Sequence, residues 1–209
     1  MSDAIDRLRL LARAYAARER IDLAAQPENA EYTTLRYLLF GQFPVWTAAG
    51  LLDWYWHKRS DLEHTAGTAE TALHLMMFAE AGLPVTLALF CEINAGLLTV
   101  MAAGALVHEL TAFVDVGYAE HRREVTSWEQ HTHSFLEVLP FTALAVAVCL
   151  HANQAAAGAR AGRATDFALR LRERRLSGAH FAYVGVLLLA GVVVPYGNEL
   201  WRCVRARRR

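Results

Sequence analysis

Long uncharged stretches alternate with polar runs along this chain of 209 residues. "YLLFGQFPVWTAAGLL" (37–52), "GLLTVMAAGALV" (96–107), "VLPFTALAVAVCL" (138–150) and "FAYVGVLLLAGVVVPYGN" (181–198) contain no Asp, Glu, Lys or Arg. At about 1.5 Å rise per residue the last of these spans hydrocarbon alone, and the others reach about 20 residues once a polar residue at one end is admitted. The pattern predicts an all-α protein: an integral membrane helical bundle with a four-helix core, a fifth transmembrane helix and an N-terminal amphipathic helix. Helix one is expected from 34 to beyond 57, and helices two and three within 68–121, turning at "EINAG" (92–96). Gly82 and Pro84 are expected to kink helix two. Helix four starts at "TSWE" (126–129), a capping box in which Thr126 caps and Glu129 reaches back, and runs to about 153. Helix five covers roughly 179–201. The segments are then 1–33, an amphipathic N-terminal piece; 34–153, the membrane core; 154–178, an Arg-rich link; and 179–209, the fifth helix with its basic tail.

The first thirty residues hold no continuous apolar run of the kind a cleavable signal peptide needs. Ile5, Leu8, Leu11, Ala12 and Tyr15 fall at helical spacing among Arg7, Arg9, Arg13, Arg18 and Arg20. That pattern suits a helix lying on a membrane surface or, equally, one packing on a soluble face.

Composition sharpens the picture. Lys+Arg and Asp+Glu are equal at 21 each, so the basic surplus that a nucleic-acid partner requires is missing. A mean hydropathy of +0.18 is low for a polytopic protein and implies large polar ends. Cys91, Cys149 and Cys203 form no CxxC and read as small hydrophobes. Neither a phosphate-binding glycine loop, a GxSxG elbow nor an HExxH helix occurs.

The polar residues are not scattered. Helix one ends, helix two starts, helix three ends and helix four starts on one side of the bilayer, and ionisable groups gather there, at 53–74 and 108–137. Seven of the nine histidines fall in those two runs, leaving His151 and His180 for the other side. Residues three, four or seven apart share a helix face. Asp53, His57, Asp61 and His64 form one stripe if helix one continues past the membrane. Glu70 and His74 pair on helix two; His108, Thr111 and Asp115 align on helix three; Glu129, His133 and Glu137 align on helix four, with His131 directed elsewhere.

Such a cluster is costly near hydrocarbon unless paired, hydrated or coordinated. Divalent cations relieve both desolvation and carboxylate repulsion, and carboxylate with neutral imidazole suits Fe, Mn or Zn. The candidate ligands are Asp53, His57, His64, Glu70, His74, His108, Asp115, Glu129, His131, His133 and Glu137, enough for two metal ions, with iron favoured. Lys58, Arg59, Asp61 and Glu63 read most simply as a solvated turn. His121, Glu120 and Glu124 read as surface, and Glu80 and Glu92 as a polar cavity or cross-bundle pairs.

In architecture and ligand type, residues 35–153 resemble the histidine-rich integral-membrane di-iron proteins, the fatty-acid desaturase and hydroxylase group. "EQHTHSFLE" (129–137) is the nearest approach to their histidine boxes. The resemblance implies a two-iron site at the cytosolic membrane surface. The expected function is therefore a membrane-embedded di-metal oxidoreductase acting with O2 on an apolar substrate, in a bacterial inner membrane, with a redox partner. A non-enzymatic metal-binding or metal-transport protein is the alternative, and a haem-binding electron carrier using His74 and His108 the second. Basic residues divide 12 to 9 between the N-terminal side and the cluster side, which leans the cluster away from the cytoplasm, opposite to what the resemblance implies.

Overall fold

Two prolines shape the helices that frame the bundle. Pro44 and Pro195 each lie two residues beyond a π-turn, Leu38–Gln42 and Leu189–Val193. Proline supplies no N–H to the carbonyl four residues back and crowds it, and those carbonyls, of Phe40 and Gly191, lie inside the widened turns. Helix α2 (Ala30–Tyr37) thus runs through its π-turn into α3 (Phe43–Arg59). In the same way α9 (Gly178–Leu188) continues into α10 (Val194–Arg207).

This architecture comes from a computed structural model that describes residues 2–20, 30–160 and 162–208. The predicted 1–33 segment is therefore seen only at 2–20 and 30–33, and residues 161 and 209 of the link and tail lie outside the described residues. Helix α1 is Ser2–Ala16, α4 Gly67–Phe90, α5 Ala95–Glu120 and α6 Ser127–Leu150. The link is less featureless than its composition suggests. It holds α7 (Ala152–Ala159) and the short α8 (Ala164–Phe167). A two-residue parallel pair, Glu19–Arg20 with Arg174–Arg175, ties it to the N-terminal segment. Otherwise the described chain is all-α.

Asn94 and Thr126 cap α5 and α6, their side chains accepting from Leu97 N and Glu129 N. Only half of the predicted capping box forms. The Glu129 carboxylate turns into the bundle, where Arg123 binds it more strongly than a cap N–H exposed to water would. Pro84 does lie inside α4, and Gly104 of α5 packs on it: a Cβ there would sit 2.9 Å from both Glu80 O and Pro84 Cγ.

Helices α3, α6, α5, α4 and α10 pack as a closed ring, each against the next and α10 back against α3. The expected four-helix core is joined by the last helix, which closes the ring. The closure is tight because small residues meet at it. A Cβ on Gly191 would lie 2.4 Å from Thr47 Cγ2, and Gly50 faces the Gly191 carbonyl.

The ring is polar inside at one end and apolar outside. Phe113 is 80% exposed, and Leu106, Leu110, Val193 and Leu83 face outward with it, whereas Asp53, His57, Glu70, His74, Asp115, Glu129 and Glu199 are buried. An apolar belt of this extent marks contact with a membrane or another protein. Four helices are long and apolar enough to cross a membrane: Gly67–Phe90, Ala95–Glu120, Ser127–Leu150 and Gly178–Arg207.

Candidate metal centre

The polar interior is built from the last turns of α3, the first turns of α4 and α6, the end of α5 and the middle of α10. Its organising group is Glu199, which is fully buried. The His57 and His74 rings stack in parallel, 6° apart with centroids 4.5 Å from each other. His57 Nδ1 lies 2.9 Å from Glu199 Oε2, and His74 Nδ1 2.9 Å from Glu199 Oε1. An ionised carboxylate can only accept, so both imidazoles donate from Nδ1–H, and when neutral each keeps its lone pair at Nε2. One acid therefore sets two tautomers, the arrangement by which carboxylates orient metal-bound histidines.

On the far edge of the rings the two Nε2 atoms are buried and make no hydrogen bond. Around His57 Nε2 stand Asp53 Oδ1 at 3.4 Å and Glu129 Oε1 at 3.5 Å. Around His74 Nε2 stand Asp115 Oδ2 at 3.3 Å and Glu70 Oε1 at 3.9 Å. His133 Nε2 lies 2.8 Å from Asp53 Oδ1, in an alignment that gives Asp53 Oδ1 no hydrogen bond. Separations above 3.3 Å are long for charged hydrogen bonds, which run about 2.7–2.9 Å. Three of them, at 3.3–3.5 Å, are close to the edges of a coordination shell, where ligands about 2.1 Å from one ion lie roughly 3.0–3.4 Å apart; the Glu70 separation is wider and that of His133 shorter. Two triads of donors each fit a single ion, Asp53, His57 and His133, and Glu70, His74 and Asp115.

Charge gives an independent test. Asp53, Glu70, Asp115, Glu129 and Glu199 are five buried carboxylates. Arg123, between α5 and α6, is the one buried guanidinium against them among the described residues. It donates to both Glu70 oxygens and lies 2.6 Å from Glu129 Oε1. Burial by itself disfavours its cation, but the hydrogen bonds and charges of Glu70 and Glu129 outweigh that and raise its pKa above the ordinary arginine value. If the histidines are neutral, as metal ligation would require, the cluster would keep four negative charges, which two divalent cations would balance. The residues present fit such a pair.

The sequence-predicted ligands divide cleanly in space. Asp53, His57, Glu70, His74, Asp115, Glu129 and His133 converge. His108 and Glu137 do not reach either triad; they border a cavity of about 50 Å³ beside it, with His108 Nδ1 3.3 Å from Met77 O. His64 and His131 lie outside. Helix α3 stops at Arg59, and Asp61 takes a left-handed conformation (φ 54°) that breaks the expected stripe. His64 then faces water, its Nδ1 2.7 Å from Asp61 Oδ1. His131 is exposed on α6 against Phe135, because it lies about 200° around the helix from His133.

Glu199, Arg123 and Tyr196 escape sequence reasoning. Glu199 had a signal, as the one acid closing the apolar run of the last helix, where a carboxylate needs a reason. Arg123 sits in "AEHRRE", which reads as surface. The Tyr196 hydroxyl reaches Asp53 Oδ2 at 2.9 Å and Gly50 O at 3.0 Å, and its single proton serves one of them at a time.

The fold and the site together define a ring of amphipathic-inside helices around a buried acid–imidazole cluster. Compared with known protein families, curated proteins and solved structures, the chain matches none.

Proposed function

We propose that this protein is an integral membrane oxidoreductase with a two-metal, di-iron centre that uses O2 on an apolar substrate. The observation that carries the reading is the pair of stacked imidazoles sharing Glu199, with two buried Nε2 atoms that have no hydrogen bond. A mixed carboxylate and imidazole set suits iron, with manganese or zinc as substitutes. Two irons supply the electron transfer for oxygen chemistry that no side chain here can provide. The chain's own residues do the rest. Glu199 fixes the histidine tautomers, Tyr196 orients Asp53, and Arg123 balances Glu70 and Glu129. Trp46, Phe78 and Tyr196 wall the adjoining cavity against water.

The membrane setting has its own support. Besides the four apolar helices, the rod 30–59 completes a five-span bundle in this reading. Exposed Tyr55, Trp128 and Trp201 ring the cluster end, with Arg59 over Tyr55 and Arg205 over Trp201. Aromatic and basic side chains concentrate where a bilayer meets water. Helix α1 lies at the opposite rim, held by Tyr15 to Leu89 O, and turns Ile5, Leu8 and Leu11 outward toward a surface. Haem is disfavoured, since the cavity between His74 and His108 measures only about 50 Å³.

Metal analysis and an optical spectrum of protein purified from membranes test the proposal. Two non-haem irons per chain without a Soret band are expected, together with O2 consumption when a reductant is added. A Soret band, a single zinc, or no bound metal overturns it. Two irons with no O2 uptake under any reductant leave a metal-binding or transport protein.

A further inference from the structure

A second cavity of about 240 Å³ lies inside the ring, away from the cluster. Its wall runs from residue 34 to 46 on one side and from 139 to 151 on another, about 18 Å at 1.5 Å per residue. The lining is overwhelmingly apolar. Trp46 borders this cavity and the small one beside the cluster, so the indole is a partition between them. Phe43 stacks on one side of it at 5.6 Å, and Phe78 meets it edge-on at 5.8 Å.

Two polar atoms on this wall are orphaned. Gln42, buried within a π-turn, donates from Nε2 to Leu139 O at 2.6 Å, but its Oε1 has no partner. Glu80 accepts from Thr111 Oγ1 at 2.8 Å through Oε1, while its buried Oε2 has none. Buried polar atoms left unpaired cost about 1–3 kcal/mol each. Gln42 is one helical turn from Trp46, so these orphaned atoms stand at the end nearest the cluster, while His151 and Arg172 border the opposite end.

We propose that the cavity binds a lipid-soluble molecule carrying a hydroxyl group, tail along the apolar wall and hydroxyl between Gln42 and the Trp46 partition. Ligand chemistry follows from the two orphans. The Gln42 oxygen needs a donor. Glu80 needs a donor when ionised and an acceptor when neutral. With Glu80 neutral, one hydroxyl donates to Gln42 and accepts from Glu80; with Glu80 ionised, its single proton serves one of the two oxygens at a time. A ketone cannot serve Gln42, and a hydrocarbon serves neither. Thr111 links Glu80 to the helix face that carries Asp115, one turn on. The oxygen-bearing end of the ligand is thus the end presented to the metal centre. As the class of substrate, an aliphatic alcohol or a phenol rests on the di-metal reading; as a binding site it does not.

The test measures binding of radiolabelled 1-dodecanol and of dodecane to the full chain in lipid nanodiscs, with empty nanodiscs subtracting bilayer partition. Protein is used both as purified and after metal removal. Dodecanol is expected to bind at least tenfold more tightly than dodecane, in both forms. Gln42→Leu and Glu80→Leu, which remove the orphaned oxygens, should each erase most of that preference, whereas Glu80→Gln, whose amide donates to the hydroxyl oxygen, should keep it. Ala143→Phe, which fills the cavity, should abolish binding of both ligands. Equal binding of the two ligands, or a preference untouched by Gln42→Leu, overturns the proposal and assigns the orphaned oxygens to buried water. A preference retained in metal-free protein that never contained iron keeps the binding site while removing the di-iron reading. An alkyl hydroquinone displacing dodecanol at lower concentration than dodecanol itself identifies a phenol; the reverse order identifies an aliphatic alcohol.

Discussion

At the scale of single residues, the consequential group is one that binds no metal in this reading. Glu199 accepts from two histidines, so losing it frees two tautomers at once. Glu199→Ala should weaken metal binding by roughly 10–100-fold, the range seen when a carboxylate behind a metal-bound histidine is removed. Glu199→Gln keeps one acceptor oxygen and should fall between, as metal titration with a competing chelator would show. By contrast, His64→Ala and His131→Ala should leave metal content unchanged, because both side chains face solvent away from the cluster. Equal losses at Glu199, His64 and His131 would mean that general misfolding, not coordination, governs metal content.

At the scale of helices, the site depends on a crossing that contains none of its ligands. Gly191 meets Thr47 where the last helix closes the ring, two turns before Glu199 and nearly three before His57. Gly191→Val would drive a methyl into Thr47 and push the helices apart by about 1 Å, enough to spoil a site that tolerates only ~0.5 Å. Iron content should drop in that variant, and Thr47→Ala should restore it by clearing the clash. The proline-linked π-turns work at this scale too. Without the Leu38–Gln42 turn, Gln42 would leave the cavity wall on which it now sits.

For the whole molecule, the proposed metals would be coupled to the fold through charge. Metal-free protein confronts five buried carboxylates with Arg123 and whatever protons its histidines gain. Removing one partner of a buried ion pair costs about 3–5 kcal/mol. Arg123→Leu should therefore lower the unfolding temperature of chelator-treated protein markedly, and much less when the metals are bound. Chelation of the wild-type chain should itself lower the unfolding temperature, since a ligand held only by the folded state stabilises it by mass action. Thermal unfolding followed by circular dichroism in detergent, with and without chelator, measures both. An Arg123→Leu penalty equal in the two conditions would identify a structural polar network with no metal role.

The sequence by itself determined the helices and most of the cluster. Apolar blocks of bilayer length have few alternatives to helix, and i, i+4 spacing placed Asp53 with His57, Glu70 with His74 and Glu129 with His133 on shared faces before any packing was known. Periodicity within one element says nothing about which elements meet. Only the tertiary structure decided that the last helix closes the ring, because the approach of Gly191 to Thr47 is a contact between residues 144 apart in the chain. That closure brought in Glu199 and Tyr196, and the α5–α6 turn folded Arg123 inward. It also excluded His64, since a single left-handed residue, Asp61, ended the stripe that helical spacing had extended. Local physics sets the face on which a side chain stands; packing at a distance sets what that face meets.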